Sequence, residues 1–235
     1  MVEKKITRKE LLKEPDEFMT VTGQVIRYTR QHPKVITAGC VIVVIVALAA
    51  LGINTYFTQR QLKSHELFEA AHREYEASML SPDSATPERL DGLLARFEAI
   101  ARDYASTNAG EMARLYTGHL LYRKGDYQGA LDRYTKLQSS HLVTGGLGPL
   151  VTYHIAMTRL ALKDYDQALT LFDQLSKDIN SPYRREALAS IARIYELTGK
   201  NKEAVQAYRQ YLKMFPEAPD AVFIKTRIAD LSAKA

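Results

Sequence analysis

The side chains able to do chemistry are few here, and their spacing is poor for it. Six histidines and one cysteine stand among 235 residues. His65 and His72, seven apart, share a helix face, but two imidazoles two turns apart do not make a metal site alone. His119 and His154 read as half-buried or groove-facing rings rather than general bases. There is no His-Glu-x-x-His, no Gly-x-Ser-x-Gly and no phosphate loop. "TGGLGP" (144–149) has glycines without a following Lys-Ser/Thr and reads as a flexible connection. No catalytic residue, metal ligand or cofactor site is expected, and the chain reads as a non-enzyme. Cys40 has no second cysteine to bond. Fourteen tyrosines could stack on bases, but most recur at packing positions. The net charge of +5 lies mostly in the first 34 residues, so no nucleic-acid footprint is expected.

The elements that would position these side chains begin with an apolar rod. Between Lys34 and Arg60 lie 25 uncharged residues. A helix rises about 1.5 Å per residue, so roughly 20 apolar residues cross a membrane core. Val35–Ile53 supplies 19, and Tyr56 and Phe57 stand where headgroups would begin. "ALA" (47–49) has the pattern of a signal-cleavage site, but the run is longer than a signal core and continues past it. "TAGC" resembles a lipidation box, yet most of the apolar run follows Cys40 instead of preceding it. A permanent span over 35–57 is expected, making the contact with membrane lipid. Residues 1–34 hold eight Lys/Arg against five acids, while the 20 residues after the span hold Arg60, Lys63 and Arg73. That asymmetry predicts a cytoplasmic amino terminus and an exported carboxyl domain, 58–235.

In the tail, Thr7 and Glu10 form a capping-box pattern for a short helix that Pro15 would stop. A second helix over "PDEFMTVTGQVIRYTRQHP" would bring Phe18, Val21, Val25 and Ile26 near one face. It would lie on the inner leaflet or dock a partner. Pro33 separates it from the span.

Beyond Arg60 the apolar spacing is helical almost throughout, with no sustained strand alternation. "YRKGDYQGALDRYTKL" (122–137), "LALKDYDQALTLFDQL" (160–175) and "ELTGKNKEAVQAYRQY" (196–211) align without gaps. Their alanines, Ala130, Ala168 and Ala204, lie 38 and 36 residues apart. Small Ala130, Ala168 and Ala204 would let paired helices approach, with Gly118, Ala156 and Ala192 opposite. Tyr134, Phe172 and Tyr208 would fill the space to the next hairpin. Gly125 and Gly199 would turn the chain, and Lys163 replaces them in the middle copy. "RFEAIARDYASTNAGEMA" (96–113) parallels "AYRQYLKMFPEAPDAVFI" (207–224), which adds a degenerate first copy with 64–80 as its opening helix.

This spacing resembles the tetratricopeptide repeat, a helix-turn-helix unit of about 34 residues. It departs in lacking the family's tryptophan, where Arg114, Thr152 and Leu188 stand, and in the long connection 138–149. The resemblance covers about residues 64–231. It implies an all-α fold: one amino-terminal transmembrane helix, then an α-solenoid of about three repeats plus the degenerate one. The whole layout resembles the ancillary subunit of the bacterial SecYEG translocon. "YRQYLKMFPEAPDA" is also similar to repeats of periplasmic cell-division and outer-membrane-assembly proteins.

In such arrays the first helix of each repeat lines a concave groove. The resemblance places Met112, Leu115, His119, Tyr122 and Arg123 there, then Leu150, Tyr153, Met157 and Leu160, then Arg193 and Glu196. The groove would run from an apolar end to a charged one, suited to extended segments. Equally, helices 64–80 or 219–233 of the chain itself could cover it. The implied protein is an inner-membrane interaction module binding exported polypeptides, periplasmic chaperones or the SecYEG translocon. The alternative is a structural scaffold of a cell-envelope complex.

Overall fold

A computed structural model describes residues 17–80 and 86–233. The expected Thr7–Glu10 helix lies outside the described residues. Among those described, ten α-helices and one π-helical turn account for all regular structure. The chain divides into two compact units, Met1–Thr58 and Gln59–Ala235.

The first unit holds α1 (Glu17–Gln31) and the start of α2 (Pro33–Leu80). Pro33 opens α2, where its missing N–H costs nothing. Within α2 is a window of mean hydropathy 2.8, none of it buried, long and apolar enough to cross a membrane. Its few hydroxyls are satisfied internally. Thr37, Thr55 and Thr58 donate to the carbonyls of Pro33, Leu51 and Asn54 at 2.7, 2.8 and 2.9 Å. In hydrocarbon those donors would otherwise have no partner. The helix does not stop at Phe57: 48 residues run without a break to Leu80, so the same rod supplies the first helix of the second unit.

The second unit continues with α3 (Pro87–Asp103), α4 (Asn108–Arg123), α5 (Tyr127–Thr135), α6 (Gly148–Ala161), α7 (Tyr165–Lys177), α8 (Arg184–Leu197), α9 (Asn201–Met214) and α10 (Ala221–Ser232). Short polar residues start several of them: Thr107 Oγ1 accepts from Gly110 N at 3.0 Å, and Asp126 Oδ1 from Gly129 N at 2.9 Å. The core is a chain of local clusters rather than one centre. Phe68, Phe97 and Ala113 join α2, α3 and α4; Leu115, Tyr134 and Ile155 join α4, α5 and α6. Ala156, Phe172 and Ile194 join α6, α7 and α8, and Leu188, Tyr208 and Ile224 join α8, α9 and α10. Each hairpin buries its apolar face only against its neighbours, the condition of a solenoid.

The small residues sit at the close approaches. Ala130, Ala156, Ala168, Ala192 and Ala204 are fully buried. Gly118 is required outright, because a Cβ there would lie 2.5 Å from Cε1 of Tyr134. The connection 138–149 differs from the flexible link expected. Val143–Leu147 forms a π-helical turn, with Gly146 at φ 104° permitting the bend. Glu111, only 8% exposed, accepts from the backbone N–H groups of His141 and Leu142 at 3.4 and 3.2 Å. A carboxylate on α4 thus holds the loop by satisfying donors that have no helical partner.

Candidate partner-binding groove

The inner helices of successive hairpins are α4, α6 and α8, and the eleven residues expected to line the groove divide into four groups. Leu115 is in the core. It is 2% exposed and packs with Tyr134, Leu137 and Ile155. An inner helix gives one flank to the next repeat, and Leu115 lies on that flank, so it is no part of an open wall. Met112 and Leu150 are half-buried against the same cluster.

His119 and His154 form the second group. Their Nε2 atoms lie 3.1 Å apart with ring centroids 4.3 Å apart, so one ring donates and the other accepts. Tyr134 stacks on His154 at 5.2 Å, and Tyr116 meets His119 edge-on at 5.4 Å. Burial and then the neighbouring His154 lower the His119 pKa to about 3; burial lowers that of His154 to about 4. Both are neutral at pH 7. The Tyr134 hydroxyl is buried with no hydrogen-bond partner among the described residues, and burial raises its pKa.

The third group is contacted by other helices of the chain, leaving Glu196 half-buried and Arg123 exposed. Glu196 accepts from Tyr208 Oη at 3.0 Å and pairs with Arg227 of α10. Arg123 directs Nη1 at the sulfur of Met79 on α2. On the same helix, His72 meets the hydroxyl of Tyr116 at 2.7 Å.

What stays open lies between those contacts. Tyr122, Tyr153, Met157 and Leu160 are half-buried and Arg193 is exposed. Burial raises the Tyr122 and Tyr208 hydroxyls, and the Arg193 guanidinium opposes it at both, so α4, α8 and α9 share one electrostatic neighbourhood. Tyr153 stacks on Tyr183 at 4.7 Å with planes 15° apart, and meets Phe172 edge-on at 6.2 Å. Burial raises Tyr153, helped by Glu186 and then Tyr122. Arg193 also edges a hollow of about 480 Å³ with Glu196, Leu197, Tyr208, Phe223 and Arg227. Phe223, 67% exposed, is its apolar rim. Aromatic faces, a thioether and the Arg193 guanidinium, which makes no ion pair among the described residues, can hold an extended peptide by stacking and van der Waals contact; none of them forms a nucleophile–base pair. The sequence reading missed Tyr183, which lies in the connection before α8, outside any helix pattern.

The tetratricopeptide repeat-like domain family matches residues 27–233. No curated protein sequence matches the chain. Among solved structures, a tetratricopeptide repeat protein from Parabacteroides merdae is 17% identical with a TM-score of 0.55 over 73% of this chain. The match spans 60% of that protein's length. A Podosopora anserina protein with nearly identical TPR-like repeats is 16% identical, with a TM-score of 0.54, covering 72% of this chain and 85% of its own. At such identities the likeness is one of fold.

Proposed function

The chain belongs to the tetratricopeptide repeat-like domain family, and from that premise we propose a non-enzymatic, membrane-tethered module that binds extended segments of other proteins. The observation that carries this reading is the open stretch of inner-helix surface formed by Tyr122, Tyr153, Met157, Leu160 and Arg193, bounded at both ends by helices of the same chain. Such a surface buries apolar side chains of varied shape with few geometric demands. The apolar part of α2 is the tether, spanning the inner membrane once over 35–57 with the amino terminus cytoplasmic and 58–235 periplasmic. The resemblance of this layout to the ancillary translocon subunit supports exported chains, periplasmic chaperones or SecYEG itself as the partners.

Photo-crosslinkers placed at 122, 157 and 160 in intact cells test the groove. They should label a partner more strongly than crosslinkers at the outward positions 128 and 167. Equal labelling rejects the reading. The scaffold alternative is favoured by α1, which exposes Val25, Ile26 and Tyr28. Deleting residues 1–31 should abolish partner capture by a scaffold and leave a groove binder's capture intact.

A further inference from the structure

On the other side of the inner helices, successive outer helices leave a cleft between them. The first such cleft, about 330 Å³, lies between α3 and α5 over α4. Its lining includes Glu98 and Arg102 of α3, Arg114 and Thr117 of α4, and Arg133 and Lys136 of α5 and its end. The repeat provides a control within the same molecule. The cleft two repeats on, about 480 Å³, is lined at the corresponding positions by Asp173, Lys177, Leu188, Ile191, Ala207 and Gln210. Arg114 therefore stands where the fold accepts Leu188, Arg133 where it accepts Ala207, and Lys136 where it accepts Gln210. The middle repeat has Thr152, Leu171 and Gln174 there. None of the three cations is needed to build the solenoid.

Two of the three, Arg114 and Lys136, are not cancelled by an ion pair among the described residues either. The last cleft is balanced, with Asp173 and Glu203 against Lys177 and Arg184. In the first, Arg133 pairs with Glu98 at 3.0 Å, and Arg102 pairs with Asp103 just beyond the rim at 2.8 Å. Arg114 and Lys136 make no ion pair among the described residues. The negative carboxyl end of a helix accounts for Arg102 and Lys136, but not for Arg114 in the middle of α4. Guanidinium groups of three helices line this hollow; Arg102 and Arg133 already hold Asp103 and Glu98, while Arg114 and Lys136 are left to meet a tetrahedral oxyanion, to which a guanidinium fork offers two parallel donors.

We propose that the cleft of Arg102, Arg114, Arg133 and Lys136 binds a phosphate group, presented either as free phosphate or on an anionic lipid headgroup. The surplus of two positive charges sets its preference for a multiply charged or bidentate anion. The groove on the opposite face plays no part, so this site stands or falls independently of the peptide-binding reading.

The test uses the full chain in phosphatidylcholine nanodiscs, titrated with inorganic phosphate by calorimetry. A variant carrying Arg114→Leu, Arg133→Ala and Lys136→Gln gives the first cleft the residues of the last, so the fold should tolerate it. A matching melting temperature confirms that. Wild type should bind one phosphate per chain, and the variant at least about tenfold more weakly, since two or more charge-assisted contacts are lost. Adding phosphatidylglycerol to the discs separates the sources. A headgroup in the cleft lowers the apparent phosphate affinity of wild type only; an unchanged affinity assigns the cleft to free phosphate. Wild type that binds no phosphate, or binds it no better than the variant, overturns the proposal.

Discussion

The junction of α4, α5 and α6 and the junction of α8, α9 and α10 bury aromatic polar groups in opposite ways. Around Tyr134, His119 meets His154, both neutral, and the Tyr134 hydroxyl has no hydrogen-bond partner among the described residues. Around Tyr208 and Tyr211, each phenol has a carboxylate, Glu196 at 3.0 Å and Asp220 at 2.5 Å, and Glu196 also holds Arg227. The same repeat slot, filled by Tyr134 in one copy and Tyr208 in another, is thus stabilised by neutrality in the first and by charge-assisted hydrogen bonding in the second. A buried polar group is costly unless paired, so the two junctions of one solenoid should respond differently to pH and to loss of a hydroxyl.

Acid should break the first junction and gives the largest effect. Both histidines titrate below their unfolded value of 6.5, His119 at about 3 and His154 at about 4. The unfolded chain therefore takes up protons that the folded chain refuses. Their contribution is complete above pH 6.5 and is lost as pH falls toward 4. Each histidine costs at most about 1.4 kcal/mol per pH unit in that window, so the pair removes on the order of 3–4 kcal/mol between pH 6.5 and 5. His119→Gln keeps a neutral hydrogen-bonding group without the titration. Urea unfolding of the variant between pH 7 and 5 should show roughly half the wild-type slope, and a full wild-type slope would remove the histidine pair as the cause.

Deleting single hydroxyls sharpens the contrast. Tyr211→Phe breaks the hydrogen bond to Asp220 and should cost about 1–2 kcal/mol, the value of a bond to a charged acceptor. Burial, reinforced by Asp220, raises the Tyr211 pKa to about 12, so that cost should hold across neutral pH. Tyr134→Phe removes a hydroxyl without a hydrogen-bond partner among the described residues and should change stability by about zero or raise it slightly. Both read out as shifts in the unfolding midpoint at pH 7. Equal losses at the two sites would mean that Tyr134 has a polar partner after all.

How much of this was legible in the sequence follows from how local each feature is. The buried Ala130, Ala168 and Ala204, the aromatic four residues after each, and the facing Gly118, Ala156 and Ala192 are repeat-periodic, and the spacing predicts them. The continuous helix through Leu80 follows from uninterrupted helical patterning past Arg60. Leu115 did not follow. Periodicity assigns it to an inner helix but not to the flank that the next repeat covers. The meeting of His119 and His154 was hidden as well: one follows Gly118 by one residue and the other precedes Ala156 by two, so they are not repeat equivalents. Glu111 reaches His141 and Leu142 in the connection that interrupts the repeat, and Tyr183 stacks on Tyr153 from another connection. Such contacts depend on how repeats are stepped relative to one another, which no single repeat encodes.

The hairpin between the two junctions gives the smallest and sharpest test, because three turns of one geometry can be compared there. The chain reverses at Gly125, Lys163 and Gly199 with φ of 83°, 61° and 73°. The closing bonds match: each residue's N–H donates three back, to Tyr122, Leu160 and Glu196 at 3.0, 3.0 and 3.1 Å. The next N–H donates five back, to Leu121, Arg159 and Tyr195 at 2.9, 2.9 and 2.8 Å. This is the Schellman closure, which favours glycine at the left-handed position. A lysine held there costs about 1 kcal/mol against its right-handed form. Lys163→Gly relieves that strain but raises the entropy of the unfolded chain, so a net gain of about 0.5 kcal/mol is expected. Gly125→Ala imposes the same strain at an otherwise equivalent turn, partly offset by the lower entropy of the unfolded chain, and should lose about 0.5 kcal/mol. Opposite signs at the two turns, measured by thermal unfolding, would show that the middle turn carries strain its neighbours avoid. A loss at Lys163 would mean that its side chain stabilises the turn in a way the backbone geometry does not reveal.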